Sequence, residues 1–236
     1  MKPTKPACEM SQRELAAYID QSVLKPEFNQ DEIRKYVQEG VDFGCRTVCI
    51  NPASIEIAKE LCAGSETELC VVCDFPFGLS TTESKAEQAD DICGRGGIFE
   101  LDIVANYGWI RSGLYDRVEE ELHKVCDVCH GYGTAVKVIF ETDALDEIEI
   151  VNTVEACVAA EADFVKTSTG FFTGGKSDGA SLEVVKLMID TAAGRIKVKG
   201  SGGIRDREHF FKLIDMGVDR MGIGYKSTPV VLGIRA

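Results

Sequence analysis

The stretch DFVKTSTGFFTGG, Asp163 to Gly175, begins like a buried strand, places Lys166 two residues after Phe164 and ends in Thr, Ser and Gly. A buried ammonium is costly unless it is paired or neutral, so a lysine at this point needs a chemical reason. The loop that follows, with Thr169 and Gly170, has the composition of a ligand-facing segment. A second lysine in an apolar run, Lys199 of VKGSGGIRD, comes one β/α unit later, which predicts neighbouring strands. Side chains on a strand alternate between its two faces. If Val165, Val198, Val136, Val138, Leu101 and Ile103 face surrounding helices, then Lys166, Lys199, Lys137 and Asp102 face inward, joined by Asp20 from the first strand.

Such a cluster has one obvious chemistry. A lysine is a nucleophile only as the free amine, and an adjacent ammonium and partial desolvation both favour that state. Lys199 supplies the cationic neighbour of Lys166. A neutral amine facing a carbonyl forms a Schiff base, an electron sink for making or breaking a C–C bond. Asp102 can then move protons, provided a cation keeps it oriented. This chemistry requires neither a metal nor a cofactor.

Two glycine-rich turns add an anion signal. KGSGGIRD and RMGIGYKST follow the seventh and eighth apolar runs, with Gly202, Gly203, Gly222 and Gly224 in them. Backbone N–H groups there are the usual phosphate cradle of a barrel. TGGKSDGAS, Thr173 to Ser181, reads as a mobile loop that carries Lys176 over a ligand.

The thiols are the competing motif. Ten cysteines include CVVC (Cys70, Cys73) and CDVCH (Cys126 to His130), which have metal- or haem-like spacing. The gap between the pairs is too long for a zinc ribbon, and CVVCDFP reads as a buried strand, so structural thiols are expected. His123, His130 and His209 sit in polar helical stretches. The net charge of −13 offers no basic stripe for nucleic acid. No apolar run reaches membrane length, and MKPTKPACEM lacks the form of a secretory leader. These features together predict a cytoplasmic protein.

The elements that must hold these residues follow from alternating apolar and amphipathic runs. Strands are predicted at Tyr18–Val23, Arg46–Ile50, Leu69–Phe75, Phe99–Val104, Ala135–Phe140, Phe164–Thr167, Ile196–Lys199 and Arg220–Ile223. Single helices separate them, at Asp31–Phe43, Ser54–Cys62, Thr82–Cys93, Tyr115–His130, Ile148–Ala160, Ser181–Thr191 and Asp206–Met216. Eight such units in 236 residues predict one (β/α)8 TIM barrel over residues 1–236. The capping box SQRE, Ser11 to Glu14, predicts an extra helix before the first strand. The last helix is expected to be short or missing.

YIDQSVLKPE, TVCINPASIEIAKEL, VVCDFPFG, ELDIVANYG, VKVIFET, DFVKTSTGF and VKGSGGIRD occur in the order expected of 2-deoxyribose-5-phosphate aldolase, from Tyr18 to Gly224. The chain resembles that family. The resemblance implies a class I aldolase on a (β/α)8 barrel, without metal or cofactor, acting on a sugar phosphate and often assembled as a homodimer or higher homo-oligomer. It implies that Lys166 forms the Schiff base, with Lys199 and Asp102 as its partners, and that Asp20, Ser22, Cys49 and Lys137 line the pocket. The sequence departs from the family at Gln21, at Lys197 and most at GIGYKST, where Tyr225 and Lys226 replace a small-hydroxyl run that holds phosphate. Lys226 is expected to replace those hydroxyls with a point charge. Two other readings stay open: a Schiff-base aldolase for a different or unphosphorylated aldehyde, and a non-catalytic sugar-phosphate-binding barrel.

Overall fold

Eight short runs rich in aliphatic and β-branched residues pair in chain order, all parallel, and the last closes on the first. The computed structural model describes residues 3–234. The strands are β1 (Ile19–Val23), β2 (Thr47–Ile50), β3 (Glu68–Cys73), β4 (Glu100–Val104), β5 (Ala135–Ile139), β6 (Phe164–Lys166), β7 (Lys197–Ser201) and β8 (Arg220–Gly224). The chain thus forms the (β/α)8 barrel that its periodicity predicts.

Helices lie outside the barrel: α1 (Gln12–Ala16), α2 (Gln30–Phe43), α3 (Ile55–Cys62), α4 (Thr82–Gly94), α5 (Tyr107–Arg111), α6 (Tyr115–Gly131), α7 (Glu147–Ala159), α8 (Leu182–Ala192), α9 (Arg207–Met216) and α10 (Thr228–Val231). Their starts are written locally. Ser11–Glu14, Asn29–Glu32 and Asp146–Glu149 form complete capping boxes, and Thr81, Ser181 and Asp206 cap α4, α8 and α9. The predicted extra helix is α1, preceded by a 3-10 turn at Ala7–Glu9. This segment packs against the N-terminal end of the barrel, where Ala7 N donates to Asp215 Oδ1 at 2.7 Å and Arg46 N to Ala16 O at 3.2 Å. Cys8, on that turn, is exposed, whereas the other nine cysteines are buried.

The barrel has two cores of opposite character. The outward faces of the strands, with Leu101, Ile103, Val136, Val138, Val165 and Val198, join the helices in one large apolar cluster. The inward faces hold charge: Asp20, Asp102, Lys137 and Lys199 are fully buried, and Glu100 and Lys166 nearly so. Outside the barrel a further buried ion pair ties α4 to α6, with Lys85 Nζ 2.6 Å from Glu121 Oε1 and 3.6 Å from Asp74 Oδ2. No helix among the described residues is long and apolar enough to cross a membrane.

Candidate active site

Register brings the inward residues together. Lys166 pairs with Lys199 across β6 and β7, and Asp102 with Lys137 across β4 and β5. Asp102 then reaches across the axis. Its Oδ2 accepts from Lys166 Nζ at 2.5 Å and from Lys199 Nζ at 2.8 Å, and its Oδ1 accepts from Lys137 Nζ at 3.0 Å. Burial opposes ionisation of Asp102, but Lys137, Lys166 and Lys199 outweigh it and hold the carboxyl well below the usual range.

A second layer supports the first. Asp20 Oδ2 pairs with Lys199 Nζ at 2.5 Å, and Asp20 Oδ1 accepts from Arg220 Nη1 at 2.7 Å. Glu100 accepts from both Arg220 Nη groups, at 3.1 and 3.2 Å, and pairs with Lys137 at 2.5 Å. Burial works against the charge on Lys199, yet Asp102 and Asp20 keep its ammonium more stable than that of an ordinary lysine. The same balance raises Lys137, where Asp102 leads the opposing carboxylates. Four cations, Lys137, Lys166, Lys199 and Arg220, therefore face three carboxylates, Asp20, Glu100 and Asp102.

Lys166 forms the floor of a cavity of about 290 Å³ at the C-terminal mouth of the barrel. Of the substrate-binding residues expected from the sequence, Ser22, Thr169, Gly170, Gly202, Gly203, Gly222 and Gly224 line it. Gly222 lies close to this floor: a Cβ there would be 2.9 Å from Ser201 Oγ and would have to displace it. Asp20, Cys49 and Lys137 lie beneath the floor, within the ion network rather than on the cavity wall.

Lys226 is the residue expected to meet phosphate with a point charge. It lies outside the cavity lining, exposed, with Nζ 5.7 Å from the centroid of the Tyr225 ring. Tyr225 turns inward instead and stacks on Tyr36 and Phe28, at centroid distances of 3.9 and 5.2 Å. Among the described residues, the cavity's side-chain cations besides Lys166 are Lys25 and Arg205, and no carboxylate lines it. Arg205 stands in the quoted motif VKGSGGIRD. Lys25 likewise stands in the quoted motif YIDQSVLKPE, but neither loop cation has a periodicity that places it in the cavity. Arg220 and Glu100 were readable, two residues before Gly222 and Asp102 on the same strand faces.

The thiol motifs separate in space. Cys70 Sγ points to the axis and donates to Asp102 Oδ1 at 3.1 Å, while Cys73 Sγ faces α4 and donates to Gln88 Oε1 at 3.1 Å. Cys129 lies against Cys93, and His130 Nε2 contacts Asp163 Oδ2 at 2.9 Å. Two interior groups, Cys49–Cys70–Asp102 and Asp20–Cys70–Glu100, have ligand atoms within 4.8 Å of one another. Their carboxylates already accept from lysine or arginine, and burial raises the Cys70 thiol well above its ordinary value, so both groups are poor hosts for a cation.

A closed barrel with a cavity at its C-terminal mouth, floored by a buried lysine–aspartate cluster, is the architecture of a (β/α)8-barrel enzyme. No protein-family model matches the chain. Deoxyribose-phosphate aldolase 1 of Staphylococcus aureus is 42% identical over 205 residues, 87% of this chain and 90% of the relative. Deoxyribose-phosphate aldolase 2 of the same species is 42% identical over 207 residues, 88% and 91% of the two chains. Among solved structures, QR15, an aldolase, matches with a TM-score of 0.84 at 38% identity, covering 94% of this chain and 96% of that one. The tetrameric deoxyribose phosphate aldolase of Aeropyrum pernix matches with a TM-score of 0.82 at 30% identity, covering 94% and 91%. The chain belongs to the deoxyribose-phosphate aldolase family.

Proposed function

We propose that the protein cleaves 2-deoxy-D-ribose 5-phosphate reversibly to D-glyceraldehyde 3-phosphate and acetaldehyde through a Schiff base on Lys166. The observation that carries this reading is the shared oxygen: Lys166 and Lys199 both donate to Asp102 Oδ2 beneath an open cavity. The interior set holds one cation more than its carboxylates, so it is neutral when one amine is unprotonated. Lys166 is the amine with access to substrate.

The Lys166 amine adds to C1 of the open-chain sugar, and the carbinolamine loses water to give the iminium. The C3 hydroxyl then gives up its proton as the C2–C3 bond breaks. The C3 carbon leaves as the aldehyde of glyceraldehyde 3-phosphate, and the electron pair of the bond enters an enamine. Protonation at C2 and hydrolysis release acetaldehyde and restore the amine. Asp102 is the one carboxylate placed to pass a proton between Lys166 and Lys199. Its low pKa makes it a brief carrier, with Lys199 as the group that keeps the proton. Lys25, Arg205 and the Gly202–Gly203 amides offer the cavity's attraction for phosphate.

Acetaldehyde with borohydride is expected to add one reduced two-carbon unit to Lys166, located by peptide mass spectrometry, and Lys166→Ala is expected to take up none. Lys166→Arg should behave like Lys166→Ala, since a guanidinium stays protonated. A label on Lys199, or on no lysine, overturns the assignment.

A further inference from the structure

Asp143 ties together two loops at the mouth of the barrel, its own after β5 and the one between β6 and α8. It follows β5, is half-buried, and its carboxylate accepts from Ser177 Oγ at 2.7 Å and from Asp178 N at 2.7 Å. Gly179 N donates to both of its oxygens, at 3.0 and 3.2 Å, and Ser168 Oγ lies 3.5 Å away. One carboxylate thus fixes residues 177–179 of the loop that carries Lys176. Lys176 itself is exposed and pairs with Asp178 at 2.7 Å, so the loop is held by Asp143 and not by its own lysine.

The held segment presses on the cavity wall. Ala180 N donates to Gly202 O at 3.0 Å. A Cβ on Gly179 would lie 2.5 Å from the Gly202 carbonyl, and one on Gly203 would lie 2.9 Å from Asp178 O. Backbone therefore meets backbone with no side chain between them. Gly202 and Gly203 take φ of +82° and +76°, a conformation that keeps the turn's amides out of regular pairing. Among the described residues these two amides have no backbone acceptor. The position of this turn is set by what leans on it.

We infer that Asp143 is a positioning residue for substrate recognition: by clamping residues 177–179 onto the Gly202–Gly203 turn, it fixes the amides that meet the phosphate end of the sugar. The inference rests on the aldolase reading above. It assigns Asp143 no contact with the reacting carbons, which lie at Lys166, so its removal affects binding of the phosphate arm and spares the covalent step.

The experiment compares Asp143→Ala, Asp143→Asn and Ser177→Ala with the unmutated protein on 2-deoxyribose 5-phosphate, on unphosphorylated 2-deoxyribose and in acetaldehyde–borohydride trapping. Asp143→Ala is expected to raise KM for the phosphorylated sugar about tenfold, the scale of one charge-assisted hydrogen bond, with kcat within about twofold. KM for 2-deoxyribose and the labelling of Lys166 are expected to hold. Asp143→Asn keeps an acceptor for the two amides and should recover most of the affinity. Ser177→Ala, an exposed change that cannot unfold the barrel, should raise the same KM only about threefold, the low end for one hydrogen bond, because the Asp178 and Gly179 amides still hold the Asp143 carboxylate. Trypsin cleavage after Lys176 should quicken in Asp143→Ala. Unchanged KM for the phosphorylated sugar in Asp143→Ala and Ser177→Ala overturns the inference, as does an equal loss on both sugars. Absence of any label on Lys166 in the unmutated protein overturns instead the reading on which it rests.

Discussion

Asp102 accepts from three ammonium groups, so replacing it changes the charge of the interior before it changes any shape. Asp102→Asn is expected to lower turnover by ~10²–10⁴, the usual range for one acid–base group. It also leaves Lys137, Lys166 and Lys199 short of a counter-ion, and removing one partner of a buried pair costs about 3–5 kcal/mol. Turnover and thermal unfolding should therefore fall together, and an Asn variant that keeps full turnover at neutral pH would sink the relay. Lys166, Lys199, Lys137, Asp102 and Asp20 were legible because each lies on a strand, where a two-residue period states which face a side chain takes. The direction of Lys226 is not legible in the sequence, because it lies in the turn after β8, where no period operates. Its direction is decided by Tyr225, which is drawn inward onto Tyr36 and Phe28 from the other side of the closing seam. That contact joins residues almost two hundred positions apart, and nothing local announces it.

Strands and long helices were legible for a different reason. Each needs an apolar stripe, and the stripe repeats often enough to be read. The predicted β7 ended at Lys199 but the strand runs to Ser201, because Gly200 and Ser201 continue the ladder without a β-forming side chain. Helix α5 went unread, since five residues around Trp109 carry no full stripe and the Asn106 cap alone starts it. The tie between α4 and α6 is equally hidden: Lys85 stands in the polar helical run ESKAEQADD yet is fully buried. Its Nζ also donates to Val104 O at 2.9 Å, so it fastens both helices to the end of β4. Lys85→Leu should destabilise the fold by about 3–5 kcal/mol, because the buried Glu121 carboxyl loses its partner. The double change Lys85→Leu with Glu121→Leu should recover much of that loss. Denaturant midpoints of the unmutated protein and the two variants decide it, and equal midpoints in all three would mean that the pair contributes nothing.

Across the whole molecule, the sign of charge is reversed between surface and centre. The chain carries −13 overall, while the barrel axis holds four cations to three carboxylates. Asp20 and Asp102 are held below the usual carboxylate range, Asp20 chiefly by Arg220 and then Lys199 against the opposing effect of burial. A depressed folded pKa contributes stability that is present above the unfolded value, about 3.9 for Asp, and is lost as pH falls toward the folded value. Thermal stability should therefore hold near neutrality and drop steeply below about pH 4. Asp20→Asn should lower the plateau and flatten the acid slope. A melting temperature that stays level from pH 7 to pH 3 would contradict the network. The distribution of thiols has a practical reach of its own. Cys8 is the single exposed cysteine among the described residues and sits on the N-terminal turn, at the end of the barrel opposite the cavity. A maleimide-coated bead would thus capture every molecule by one point and in one orientation, with the catalytic mouth turned toward the flowing solution.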